Sequence, residues 1–294
     1  MTVGPVWEAG EKTHRDENFP VASHLVSKRH RPAILAFYRF ARAADDVADH
    51  PALSESEKIA KLDQFEETLL GKSSAIEDAL PLRAAIAERG LTPKHGQDLL
   101  VAFRMDASKH RYANWNDLIH YCTYSAMPVG RFVLDVHGES RATWPANDAL
   151  CAALQIINHL QDCGADYCRL DRVYIPLDRL EARNIPVEAL AASKASPELL
   201  ASIHELARET SDLLGGAELS RGIKDLRLSL EVAAIERLAR KLVHMLIERD
   251  PLSEPVHLSK LSFASNFITA ACLGLSRRFF APQAAPVALR GIDD

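Results

Sequence analysis

The sequence has no apolar run suited to crossing a bilayer: its most apolar late stretch, residues 261–275, is interrupted by Ser262, Ser265, Asn266 and Thr269. Residues 1–20 carry no apolar core of the secretory-signal kind, so no export is expected. A basic excess is also missing. The net charge is -5 and the pI about 6.2, which argues against nucleic acid as a partner. Five scattered cysteines, at 122, 151, 163, 168 and 272, do not make the framework of a small disulfide-stapled domain and fit reduced thiols in the cytoplasm. Cys163 and Cys168 lack the second ligand pair that a zinc site needs. Among the histidines no HExxH or similar pattern occurs, so His24, His30, His110, His120 and His137 read as packed or exposed side chains. Alternating Val/Ile/Thr runs with hairpin turns are nearly absent, and no internal repeat emerges, which leaves little room for a sheet.

What is present is apolar spacing by three and four through most of the chain, in segments rich in Ala, Leu, Ile, Glu and Arg. The fold class expected is all-α, one helical domain over 18–281 between an N-terminal arm, 1–17, and a loose tail, 282–294. Helices are predicted at about 32–49, 55–70, 79–89, 93–107, 115–137, 146–168, 187–192, 197–217, 225–249 and 259–279. Pro32 suits a first helical turn, Ser54 with Glu57 forms a capping-box pattern, and Gly71, Gly90 and Gly138 close segments.

Two stretches carry chemistry. In the first, Ile34, Tyr38, Ala41, Asp45 and Asp49 fall on one helix face, so an apolar stripe ends in carboxylates. Unpaired carboxylates are costly to bury, so the pattern makes sense where the stripe lines a cavity and a cation sits at its end. Asp45 and Asp49 lie one turn apart, a spacing suited to magnesium, which prefers oxygen ligands and bridges to substrate phosphates. A solvated helix end paired to Arg42 explains DDxxD equally well when it stands alone.

The second stretch tips the balance. Leu150, Leu154, Asn158, Asp162 and Asp166 follow one another in steps of four, with Gln161 flanking, and again an apolar row turns acidic. Two such helices facing each other would hold magnesium ions over a diphosphate and ease its departure. The candidate metal ligands are Asp45, Asp49, Asn158, Asp162 and Asp166. His159 is expected to point away from this face and is left out of the chemistry.

The pair DDVAD (45–49) and NxxQDxxxD (158–166) resembles the two aspartate motifs of the squalene and phytoene synthase family. Tyr121-Cys122 followed by Val129-Gly130 resembles the YC(x)6VG helix of that family, and Arg172-Val173-Tyr174-Ile175-Pro176 its RxYxP segment. The resemblance implies one helical bundle around a deep apolar channel, with magnesium and diphosphate at the mouth and isoprenoid chains inside. It also implicates Arg42, Tyr121, Arg172 and Tyr174 in substrate contact. The two arginines suit diphosphate, and Tyr121 suits the reacting centre.

Members that condense two prenyl diphosphates carry Ser-Phe 26 positions before the first aspartate; here Phe19 keeps that spacing but Asn18 replaces the serine. The segment ENFPVAS (17–23) and the stretch SAMPVGR (125–131) are instead similar to the hydroxysqualene synthases of bacterial hopanoid pathways. That branch acts on presqualene diphosphate and water and implies no NADPH. The segment 261–275 reads as a core helix; whether it also touches the inner membrane, and whether the protein couples to other squalene-pathway enzymes, the sequence leaves open. Two departures stand out. The step from Asp166 to Arg172 is one residue longer than the family pattern, and His159-Leu160 replaces a pair of larger apolar or aromatic residues. Rival readings are a head-to-head prenyltransferase making presqualene diphosphate, squalene or phytoene; a linear prenyl diphosphate synthase; and a non-catalytic helical assembly factor. The last is opposed by the retained aspartates.

Overall fold

Spacing by three and four becomes helix throughout the computed structural model, which describes residues 27–258. Asn18 and the predicted 259–279 helix lie outside these residues. The chain runs through α1 (Arg31–Ala48), α2 (Glu55–Leu69), α3 (Leu80–Arg89), α4 (Lys94–Ser108), α5 (Trp115–Ser125), α6 (Met127–His137), α7 (Trp144–Gln161) and α8 (Cys163–Leu170). It continues through α9 (Leu177–Glu181), α10 (Pro197–Gly216), α11 (Leu219–Gly222) and α12 (Leu226–Glu248). Several ends follow local chemistry. The Ser54 hydroxyl accepts from Glu57 N while the Glu57 carboxylate takes Ser54 N, and Gly90 and Gly138 stop α3 and α6 at φ 62° and 70°.

Three expectations need correction. The single helix expected at 115–137 breaks at Ala126 (φ -120°, ψ -47°), because Pro128 has no N–H to give and its ring crowds the preceding turn. The helix expected at 146–168 kinks at Asp162 (φ -102°, ψ 8°), between Gln161 and Cys163. The segment at 187–192 is a 3-10 turn, Val187–Ala191.

Buried side chains gather in two clusters. One joins α1 to α4 through Phe37, Phe40, Leu62, Leu82 and Leu100; the other joins α5, α7, α10 and α12 through Leu118, Ile156, Ile157, Leu206 and Leu242. Phe132 on α6 stacks on Phe37 at 4.1 Å, and Val133 packs against both clusters. A stacked pair of this kind contributes about 1 kcal/mol beyond the area it buries. Gly130 lets α6 close on α7, since a Cβ there would lie 2.0 Å from Asn147 Oδ1. Among the described residues no helix is long and apolar enough to cross a membrane.

Candidate active site

Between the two clusters lies a cavity of about 550 Å³, within the usual range for ligand pockets. Helix α1 and its C-cap present Tyr38, Ala41, Arg42, Asp45 and Asp49 to it; of the face read from spacing Tyr38, Ala41, Asp45 and Asp49 line the cavity, while Ile34 lies in the core. The α7–α8 rod brings Gln155, Asn158, His159, Asp162 and Asp166. Across the kink two helical bonds persist, Asp162 N to Asn158 O at 3.0 Å and Asp166 N to Asp162 O at 2.8 Å, and they keep Asn158, Asp162 and Asp166 along one line facing the cavity. The RxYxP segment is extended and runs beside residues 110–113, with Val173 N on His110 O and Leu177 N on Tyr112 O. Alternation along that strand-like segment sends Arg172 and Tyr174 into the cavity and Val173 and Ile175 into the core. Just before Arg172, Asp171 sits in the left-handed region (φ 51°), where Arg111 holds its carbonyl and carboxylate.

The charges are arranged for an anion with cations. Arg42 spans Asp45 at 3.0 Å and Asp46 at 2.9 Å. Arg172 Nη2 lies 2.7 Å from Asp49 Oδ1 and donates to Asp106 O at 3.1 Å. The Asp49 contact is a charge contact without an aligned N–H, so Oδ1 is buried with no hydrogen bond. Burial and the neighbouring Asp49 push Asp45 up to about 7; burial and Asp162 push Asp166 up to about 7. Carboxylates that repel one another in a recess make a hard-oxygen donor set that fits a divalent cation. Among the described residues no three or more His, Cys, Asp or Glu side chains converge closely enough to enclose a metal alone. A cation here therefore needs oxygens from substrate or water.

Tyr121 is buried on the cavity wall and donates to Asp106 Oδ2 at 3.0 Å. Asp106 is raised to about 6 by burial. Sequence reasoning missed it, although the signal was there: Leu99, Phe103 and Asp106 on α4 form a third apolar stripe ending in an acid, and all three line the cavity. Two further expectations change. Gln161 does not line the cavity; its amide donates to Val256 O, tying the kink to the chain after α12. His159 does face the cavity, stacked on Tyr174 with ring centroids 3.4 Å apart, and burial lowers it to about 3. The site thus brings together Asp45, Asp49, Asn158, Asp162, Asp166, Arg42, Tyr121, Arg172 and Tyr174.

Comparison with known proteins adds the lineage. The profile of the squalene/phytoene synthase family matches residues 12–262. The chain belongs to that family. This squalene/phytoene synthase family member is 55% identical over 270 residues to a hydroxysqualene synthase of Rhodopseudomonas palustris, covering 92% of each chain. To the hydroxysqualene synthase of Sinorhizobium fredii it is 53% identical, covering 91% of this chain and 92% of the relative. Its fold matches a squalene synthase of Alicyclobacillus acidocaldarius with a TM-score of 0.69 and 29% identity, over 78% of this chain and 87% of that one. A dehydrosqualene synthase matches with a TM-score of 0.74 over 86% of this chain and 89% of that one, and at 20% identity that likeness concerns the fold alone.

Proposed function

We propose that the protein converts presqualene diphosphate and water to hydroxysqualene and diphosphate, with magnesium and without NADPH. The observation that carries this reading is one cavity joining carboxylates of α1 and α7–α8, two guanidinium groups and an aromatic wall, in a chain more than half identical to hydroxysqualene synthases over nine-tenths of its length. Asp45, Asp49, Asn158, Asp162 and Asp166 would hold magnesium, which neutralises the diphosphate charge as the C–O bond breaks. Arg42 and Arg172 orient the diphosphate at the rim. Tyr121 and Tyr174 present π faces to the allylic and cyclopropyl carbons, where positive charge develops and where a ring quadrupole favours it. Water admitted to this wall ends the reaction as an alcohol.

A hydrocarbon substrate of this kind partitions into lipid, which supports a peripheral position at the cytoplasmic face of the inner membrane and coupling to the enzyme that supplies the substrate. The test is product analysis by mass spectrometry after incubating purified protein with magnesium and presqualene diphosphate, in parallel with and without NADPH. Hydroxysqualene is expected in both. Product from farnesyl diphosphate alone, or a strict need for NADPH, would overturn the reading.

A further inference from the structure

His159 sits where the family resemblance calls for an apolar or aromatic side chain, and it faces the cavity rather than the core. Its plane is fixed. Tyr174 stacks on it at 3.4 Å with 11° between the rings, and Tyr112 stacks behind Tyr174 at 5.5 Å and 18°. Tyr121 borders the imidazole at 6.1 Å. With the plane held, the two nitrogens point in set directions: Nδ1 lies 4.0 Å from Asp166 Oδ2, and Nε2 lies 3.0 Å from Gln155 Nε2.

Gln155 also lines the cavity, one turn deeper along α7 and on the hydrocarbon side of Asn158 and Asp162. Seven residues separate Gln155 from Asp162, roughly 10 Å of helix. The pair therefore places polar atoms below the diphosphate mouth, among tyrosine faces. As packing it gains little, because two apolar side chains of similar shape would serve the helix as well and leave no polar group to satisfy. As a water site it has the right parts: with Gln155 Nε2 bonded to His159 Nε2, the carboxamide keeps its oxygen and its second N–H for a water, and the fixed imidazole sets the direction in which they point.

We infer that His159, held by Gln155 and the Tyr174 stack, positions the water that captures the substrate cation. The inference rests on the reading of this site as a hydroxysqualene-forming one. The C–O bond of presqualene diphosphate breaks with its electron pair leaving on the diphosphate. A lone pair of the held water then forms the new C–O bond, one O–H bond breaks, and the proton ends on the diphosphate released by the same reaction. Without a held water the cation quenches by losing a proton from a neighbouring carbon, giving a C30 hydrocarbon.

The experiment measures the ratio of alcohol to hydrocarbon formed from presqualene diphosphate in 18O-labelled water, together with diphosphate released, for the full chain and for His159→Leu, His159→Asn and Gln155→Met. A ratio is independent of how much protein is folded, and a merely structural role would leave it unmoved. For His159→Leu the ratio is expected to fall at least about tenfold while diphosphate release falls by less, with His159→Asn between the two and Gln155→Met shifted the same way. If His159→Leu gives no folded protein, Gln155→Met decides by the same ratio. Labelled alcohol from the unsubstituted chain with an unchanged ratio in the variants overturns this inference alone. No alcohol from the unsubstituted chain overturns the function and this inference with it.

Discussion

At the scale of single residues, Asp45, Asp49, Asp106, Asp162 and Asp166 share one recess with Arg42 and Arg172, and the cost of that crowding falls on folding. Asp45 and Asp166 keep their protons up to about 7, against 3.8 for an ordinary aspartate. Between those values the folded chain binds more protons than the unfolded one, so the stability each contributes at low pH is lost as pH rises through 7. His30 and His159, lowered to about 4 and about 3 mainly by burial, work the other way. They bind fewer protons when folded, so their part of the stability is gained as pH rises to about 6.5. These opposing contributions overlap between pH 4 and 6.5, with Asp106 raised to about 6 as well, so a substitution is needed to expose a single carboxylate. In metal-free protein the melting temperature of Asp45→Asn relative to the unsubstituted chain should climb from pH 4 to 7 and level off above. About 2 °C is expected after discounting for a side chain 35% exposed. A constant difference across that range would mean that Asp45 is not strained. Under the proposed function, Asp162→Asn should lower the rate of diphosphate release by roughly 100-fold or more with the fold intact by circular dichroism.

Helices α1, α4 and α7 use one device, an apolar stripe that turns acidic at its end, and two of the three were legible because their acids come in repeated steps. The acid of α4 is single, so its stripe, Leu99, Phe103 and Asp106, carries a weaker signal than a repeated one, and its position in the cavity shared with α1 gives it meaning. His159 was misplaced for a different reason. Steps of four follow Asn158, Asp162 and Asp166, but the cavity face is wide enough to include the residue beside Asn158, and a stripe counted residue by residue has no width. The kink at Asp162 was invisible because no proline marks it, whereas the break at Ala126 had a marker in Pro128. Gly130 shows what a motif glycine does here: a Cβ would meet Asn147 Oδ1 at 2.0 Å and Cys151 Sγ at 2.7 Å, both on α7. Gly130→Ala should therefore push α6 from α7 and cost about 1–3 kcal/mol, read as a lower denaturant midpoint. Gly164→Ala, next to the kink, meets Leu252 Cδ2 at 2.7 Å and Leu190 O at 3.1 Å and should also lower the midpoint, by less than the deeper 2.0 Å overlap at Gly130 does. An unchanged midpoint for Gly130→Ala would mean that the two helices have room to part.

In the whole molecule the cavity sits on the seam between two buried clusters, one built on α1 to α4 and the other on α5, α7, α10 and α12. Its acidic lining is divided the same way, with Asp45 and Asp49 on one side and Asp162 and Asp166 on the other. Neither side supplies enough ligands to enclose a cation, which follows from the absence of any converging group of three among the described residues. Magnesium with a diphosphate would complete both half-sites at once and tie the clusters together, so the two ligands should bind cooperatively. Inorganic diphosphate serves as the probe. Magnesium alone or diphosphate alone should move the melting temperature by less than about 1 °C, while both together at a hundredfold excess over their dissociation constant should raise it by roughly 6 °C. Removing one carboxylate from either side, as in Asp49→Asn or Asp162→Asn, should abolish most of the joint shift, because each half-site depends on the other. If diphosphate alone produced the full shift, the two arginines would account for binding and the division of the carboxylates across the seam would have no part in it.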